Sequence, residues 1–173
     1  MPLLFRHPDT PPGALRQVEA DLVRTGQGAI ATFRLIGDIA KVKRPTPVTP
    51  ARADDLWCTT CFELFIAGEG QAYREYNFSP SGQWAAYCFT AYREGMAQAD
   101  AAVAIENSRS ATMFEQAVTI RADIPNPAWV GLTAVVEEDD GIIRYWSTGF
   151  APGKPDFHAP EVRNLLLDGV DAQ

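Results

Sequence analysis

The stretch CFELFIAGEGQAYREYNFSPSGQWAAYCF, residues 61–89, decides the fold class. Its apolar residues follow a period of two, and side chains two apart in a strand share a face. Phe62, Leu64 and Ile66 therefore oppose Cys61, Glu63 and Phe65. Tyr73, Glu75 and Asn77 oppose Arg74, Tyr76 and Phe78, and Trp84, Ala86 and Cys88 oppose Ala85, Tyr87 and Phe89. Two turn signals separate the runs. One is Gly68-Glu69-Gly70-Gln71; the other, Ser79-Pro80-Ser81-Gly82, has Ser first, Pro second and Gly last, as a type I turn prefers. The pattern predicts an antiparallel meander with strands at 61–66, 72–79 and 83–92.

The same period continues on both sides. It predicts strands at 18–23 and 29–39, paired around Gly26 and Gly28, and at 103–108, 113–124, 129–138 and 142–149. Asp139-Asp140-Gly141 signals a hairpin between the last two. The proline-rich run 41–55 cannot be a central strand and reads as a crossing loop. Residues 93–103, REGMAQADAAV, form the one serious helix candidate, although their alanines suit a loop equally well. About nine short strands at this spacing predict an all-β chain: an antiparallel two-sheet β-sandwich, jelly-roll-like and immunoglobulin-like in outline. No Gly/Ser tract or charge run divides the 173 residues, so 1–173 is expected to be a single domain.

Charge narrows the function classes. A formal net charge of −7 argues against a general affinity for nucleic acid or an anionic membrane, since both reward clustered Lys and Arg. No stretch reaches the ~18 consecutive apolar residues of a membrane span. The N-terminal MPLLFRHPDTPPG lacks the apolar core of a secretory signal, so a cytoplasmic location is expected. The odd number of cysteines is a poor disulfide framework. Cys58 and Cys61 form a CxxC, but Cys61 enters a strand rather than a helix, and zinc would need the distant His7 and His158. Buried or half-buried thiols are the simpler reading. Exposed edge strands offer a route to a symmetric homodimer.

The meander brings Glu63, Glu75 and Asn77 together on one face. Patterning alone allows this to be the solvated outer side of the sheet. Yet short carboxylate and amide groups interleaved with aromatics are also what sugar recognition uses: a ring stacks on the sugar, and the polar groups take its hydroxyls. On this reading Tyr76, Phe78, Tyr87 and Phe89 face the core, while Glu75, Asn77 and Trp84 face a ligand. Arg93, beside Tyr92, would either give a bidentate donor to an anionic sugar or pair with a nearby Glu. A carboxylate pair also raises a glycosidase reading.

These segments resemble a known family. LWCTTCFELFI (56–66), YREYNFSPSGQWAAYCFTAYREGM (73–96) and YWSTGFAPGKPDFHAP (145–160) are similar to the DOMON-like proteins of bacteria, relatives of the family-9 carbohydrate-binding modules. The resemblance implies a jelly-roll sandwich. It also implies that Trp57, six residues ahead of Glu63, is a sugar-stacking platform and Glu63 a hydroxyl acceptor, with Trp146 completing an aromatic slot. Glu75 and Asn77 match its polar signature. Two departures stand out: Thr60 replaces an Asp, and DFHAPE leaves His158 without the second His of the usual closing motif. Haem-binding relatives use Met and His or Lys ligands, which here leaves Met96, Met113 and His158. The expected function is a non-catalytic module for a carbohydrate or similar small polar ligand, with no cofactor. The rivals are a haem or redox domain and a glycoside-processing enzyme.

Overall fold

The computed structural model describes residues 1–169. Among the described residues there are twelve strands: β1 (Leu3–Arg6), β2 (Leu15–Thr25), β3 (Gly28–Gly37), β4 (Cys61–Ala67), β5 (Tyr73–Phe78), β6 (Trp84–Phe89), β7 (Ala97–Gln98), β8 (Ala102–Arg109), β9 (Met113–Arg121), β10 (Ala128–Glu137), β11 (Ile143–Ser147) and β12 (Leu165–Leu167). The described residues contain no α-helix, only three short 3₁₀ turns. All nine expected strands form, with ends shifted by a few residues. β1, β7 and β12 are additional, being too short to show a period.

The helix expectation at 93–103 is corrected. Arg93 and Gly95 both have positive φ, at 54° and 67°, which no α-helix accommodates. Ala97 pairs with Cys88 and Gln98 with Tyr87, so the backbone hydrogen bonds go to the sheet instead.

One antiparallel path runs β7-β6-β5-β4-β10-β11-β1-β2-β3-β9-β8, and β12 pairs with β10 beside it. The expected pair of separate sheets is therefore joined into one. The join is β1, whose Leu3 and Leu4 pair with β2 while Phe5 and Arg6 pair with β11. Strands that change partners in this way make corners. The sheet curls back so that Phe33 of β3 stacks on Phe62 of β4 at 4.9 Å, although β3 and β4 are far apart along the path. Phe62 also lies 6.1 Å from Phe114 of β9. Around these rings one core gathers Val18, Leu35, Leu64, Tyr76, Phe78, Leu132 and Trp146.

The two arms of the sheet differ in what covers their outer faces. β3 and β9 alternate buried and partly exposed residues, as a strand with one solvated face should. β4 is buried at six successive positions, and β5 and β10 are almost as enclosed. Their second face carries its own apolar cluster of Phe65, Tyr73, Tyr87, Phe89, Val135 and Phe157. Side chains that sequence patterning leaves to solvent are here inside a second layer. That layer holds the cavity.

Candidate functional site

Strand register builds the floor. Glu63 stands opposite Asn77 and Thr133, and Glu75 stands opposite Phe65 and Tyr87. Val135 lies opposite both Cys61 and Tyr145, which places β10 and β11 on the same floor. The register also corrects one expectation. The hairpin pairs Phe78 with Trp84 and Tyr73 with Phe89, so Tyr87 and Phe89 share the face of Glu75, and Trp84 shares the core face of Phe78. A slip of one residue exchanges the two faces of a strand. The expected assignment mixed one face of β5 with the wrong face of β6.

Loops supply the walls. Trp57 sits on a 3₁₀ turn, Leu56–Cys58, that follows Asp55 in the left-handed region at φ 57°. Arg93, at φ 54°, is the other described non-glycine residue with positive φ. Both border a cavity of about 690 Å³ that includes Glu63, Glu75, Phe65 and His158 in its lining. Sparsely populated backbone conformations persist where surrounding contacts hold them, and they concentrate at binding sites. Arg93 is held on three sides. Its N–H donates to the Tyr73 hydroxyl at 3.1 Å, its Nε to the Tyr92 hydroxyl at 3.3 Å, and its Nη2 to Asp156 at 2.9 Å. The Tyr92 hydroxyl donates to the same carboxylate.

The floor is unusual in its protonation. Glu63 is 3% exposed, and one of its oxygens accepts from the Thr133 hydroxyl at 3.0 Å. Burial, and then the neighbouring Glu75, push its carboxyl well above the ordinary range. Burial likewise pushes Glu75 up to about 7, against the opposing pull of the Asn77 amide and Arg93. His158 lies edge-on to Phe65, Tyr73 and Phe89 at 5.2–5.7 Å between ring centres. Its Nδ1 is 2.7 Å from the Tyr73 hydroxyl and its Nε2 is 3.5 Å from Glu75. Burial, helped by Arg93 and Arg163, depresses it to about 4, so its ring is neutral at neutral pH. Tyr87 donates to Asp54, and burial, then this bond, raise its hydroxyl well above its ordinary value. Two carboxyl groups, a neutral imidazole and several phenols can thus accept and donate hydrogen bonds inside aromatic walls.

Of the residues singled out in the sequence, Trp57, Glu63, Glu75, Arg93, Met96 and His158 line this one cavity. Asn77 lies beneath it, 1% exposed, with its Oδ1 unpartnered among the described residues. Trp84 and Trp146 do not join them. Trp84 packs against the main core under Arg52, whose guanidinium lies 4.4 Å above the indole. Trp146 is in that core and 6% exposed, because β11 turns Tyr145 rather than Trp146 towards the cavity. Arg93 takes the ion-pair role, with Asp156 in place of the expected Glu. The sequence reading missed Asp54, Asp55, Phe65, Tyr145, Asp156 and Phe157 as wall residues. For Asp156 and Phe157 a signal existed in the motif PDFHAP, which brings an acid and an aromatic beside His158.

The residues present do not fit haem. Both ring nitrogens of His158 face protein groups, and Met96 is 58% exposed on the rim. Met113 lies on β9, in the other arm. Cys58 is exposed and Cys61 is buried on the same strand face as Glu63, its thiol pushed well up by burial and by Glu63. Among the described residues, no three His, Cys, Asp or Glu side chains converge as a metal site would require.

No protein-family model matches the chain, and no curated protein does either. A solved structure does resemble it. A putative carbohydrate-binding protein from Bacteroides uniformis superposes with a TM-score of 0.60 at 14% sequence identity, over 87% of this chain and 77% of that one. At that identity the likeness is one of fold.

Proposed function

We propose that the cavity binds a carbohydrate or a similar small polar ligand without converting it. The observation that carries this is the pairing of near-buried acceptors with an exposed ring. Glu63 and Glu75 are 3% and 6% exposed at the floor, while Trp57 stands 53% exposed in the wall. An exposed indole beside a polar floor offers a stacking surface for a sugar's C–H face and acceptors for its hydroxyls. The cavity volume falls within the range of small-molecule sites. The fold likeness to a protein described as carbohydrate-binding supports the same reading, as does the resemblance of 56–66 and 73–96 to DOMON-like jelly-roll modules. We read the chain as a single cytoplasmic domain of that kind.

The test is tryptophan fluorescence and calorimetry against a panel of neutral sugars, amino sugars and nucleotide sugars. At least one should give a saturable response that weakens about tenfold or more in Trp57→Ala, as loss of an aromatic platform predicts. A panel in which no ligand distinguishes wild type from Trp57→Ala overturns the proposal. Product release from chromogenic glycosides, lost in Glu63→Gln, would instead move the site to hydrolysis.

A further inference from the structure

The balance of charge around the cavity narrows the ligand further, on the reading that the site takes a sugar-like molecule. The lining contains Asp54, Asp55, Glu63, Glu75 and Asp156 against Arg93. Arg93 is already consumed by Asp156 at 2.9 Å, and His158 is a neutral ring. No free cation in the lining holds Glu63 and Glu75 as anions; they sit diagonally on neighbouring strands, each almost fully buried, and burial keeps protons on them. Like charges in one low-dielectric site repel strongly, and structural pairs of this kind normally come with an Arg or Lys.

A second observation points the same way. Glu63 faces the cavity at 3% exposure, and its one protein hydrogen bond, from Thr133, engages a single oxygen. Its other oxygen has no partner among the described residues. A carboxyl oxygen that opens into a cavity without a protein donor is completed by what enters it. Beside these carboxyl groups the lining includes Phe65, Tyr87 and Phe89 on the floor and Trp57 in the wall. Aromatic rings around carboxyl groups are the surroundings that hold ammonium groups by cation–π attraction and charge-assisted hydrogen bonds. An anionic ligand would meet the opposite conditions, with the lone guanidinium engaged.

We propose that the ligand of this cavity carries a positive charge: an amine-bearing sugar whose ammonium sits on Glu63 and Glu75 beside the aromatic rings. An ammonium on the floor favours loss of a carboxyl proton and so forms a charge-assisted pair there. A neutral sugar of the same shape gains only ordinary hydrogen bonds from the protonated carboxyl groups, and an acylated amine carries no charge to pair.

Calorimetry at pH 6.5 with glucosamine, glucose, N-acetylglucosamine and tetramethylammonium tests this. Glucosamine should bind about tenfold or more tightly than glucose and N-acetylglucosamine. That preference should vanish in Glu63→Gln and shrink in Glu75→Gln, with circular dichroism confirming that both variants fold. If only one of the two variants folds, the loss of preference is read from that one. Equal binding of the three sugars overturns the charge assignment and leaves the carbohydrate reading standing. Binding of tetramethylammonium with no sugar bound upholds the charge assignment and overturns the carbohydrate reading. A protein that binds none of the four overturns the charge assignment.

Discussion

Arg144 and Glu63 are buried to nearly the same degree, 2% and 3% exposed, yet their surroundings follow opposite rules. Arg144 of β11 has a partner on every side. Its Nη2 lies 2.8 Å from Asp140 and its Nη1 3.4 Å from Glu138. Its Nε donates to the Pro11 carbonyl at 2.9 Å and its Nη2 to the Pro12 carbonyl at 3.0 Å. Glu138 in turn accepts the Ala14 N–H at 2.7 Å, and a Cβ on the intervening Gly13 would lie 2.4 Å from that carboxylate. The cluster pins the segment after β1, although the second oxygen of Glu138 is left without a hydrogen-bond partner among the described residues. Glu63 has one hydroxyl donor and a second carboxyl group as its neighbour. A guanidinium ringed by acceptors holds a fold; a carboxyl group with one donor and a cavity beside it can take a ligand.

The sharpest way to break this contrast is at Arg144. Arg144→Met leaves two carboxylates and two carbonyls without their donor, and should cost about 3–5 kcal/mol. For a chain of this size the melting temperature should fall by roughly 10 °C. A variant melting within about 2 °C of wild type would show that the cluster does not pin the fold.

A smaller effect separates the groups of the cavity by sign. Glu75 titrates at about 7, above its ordinary 4.5. Its contribution to stability is therefore complete below about pH 4.5 and is lost as pH rises towards 7. His158 titrates at about 4, below its ordinary 6.5, so its contribution is complete above pH 6.5 and is lost as pH falls towards 4. Between pH 4.5 and 6.5 the two slopes oppose each other. Relative to wild type, Glu75→Gln should tilt the melting temperature upward with rising pH in this window, and His158→Gln should tilt it downward. Thermal melts at several pH values would show both. Tilts of the same sign would contradict these protonation states.

The smallest effect should come from charge at the surface. Lys43 meets Glu137 at 3.0 Å with side-chain exposures of 54% and 22%. Lys43→Ala should change stability by only about 0–1 kcal/mol, because solvent screens the pair. A loss comparable to that of Arg144→Met, measured by denaturant titration, would erase the distinction between buried and exposed charge.

Much of this was legible in the sequence. Period-two runs marked nine strands because each has one face in a core, and that alternation survives in β3 and β9. The same rule under-read β4 and β5, where both faces are covered and polar residues are buried with apolar ones. Glu63 and Glu75 were correctly placed together, since the turn between their strands keeps them on one face. Tyr87 was placed on the wrong face because the register of a hairpin depends on its loop, and five residues, 79–83, separate Phe78 from Trp84 here. Trp146 follows from the family resemblance, as a match by position in the fold, whereas its parity on β11, opposite Ala134, commits it to the core. The walls came from segments near 54–57, 93–96 and 155–158, whose approach no local pattern encodes.

β1 carries a consequence for how the chain is made. Its four residues join the two arms, and Phe5 finds its partner only in Ser147. The β2–β3 hairpin and the β4–β5–β6 meander can pair locally while synthesis continues, although β3 and β4 must wait for β9 and β10 as their second neighbours. The join cannot. Until β11 has emerged from the ribosome, Phe5 and Arg6 have no ladder to enter, and the edge of β11 itself does not yet exist. Closure of the sheet is thus a late step on the nascent chain, and the half-made protein must carry unpaired strand edges while it waits.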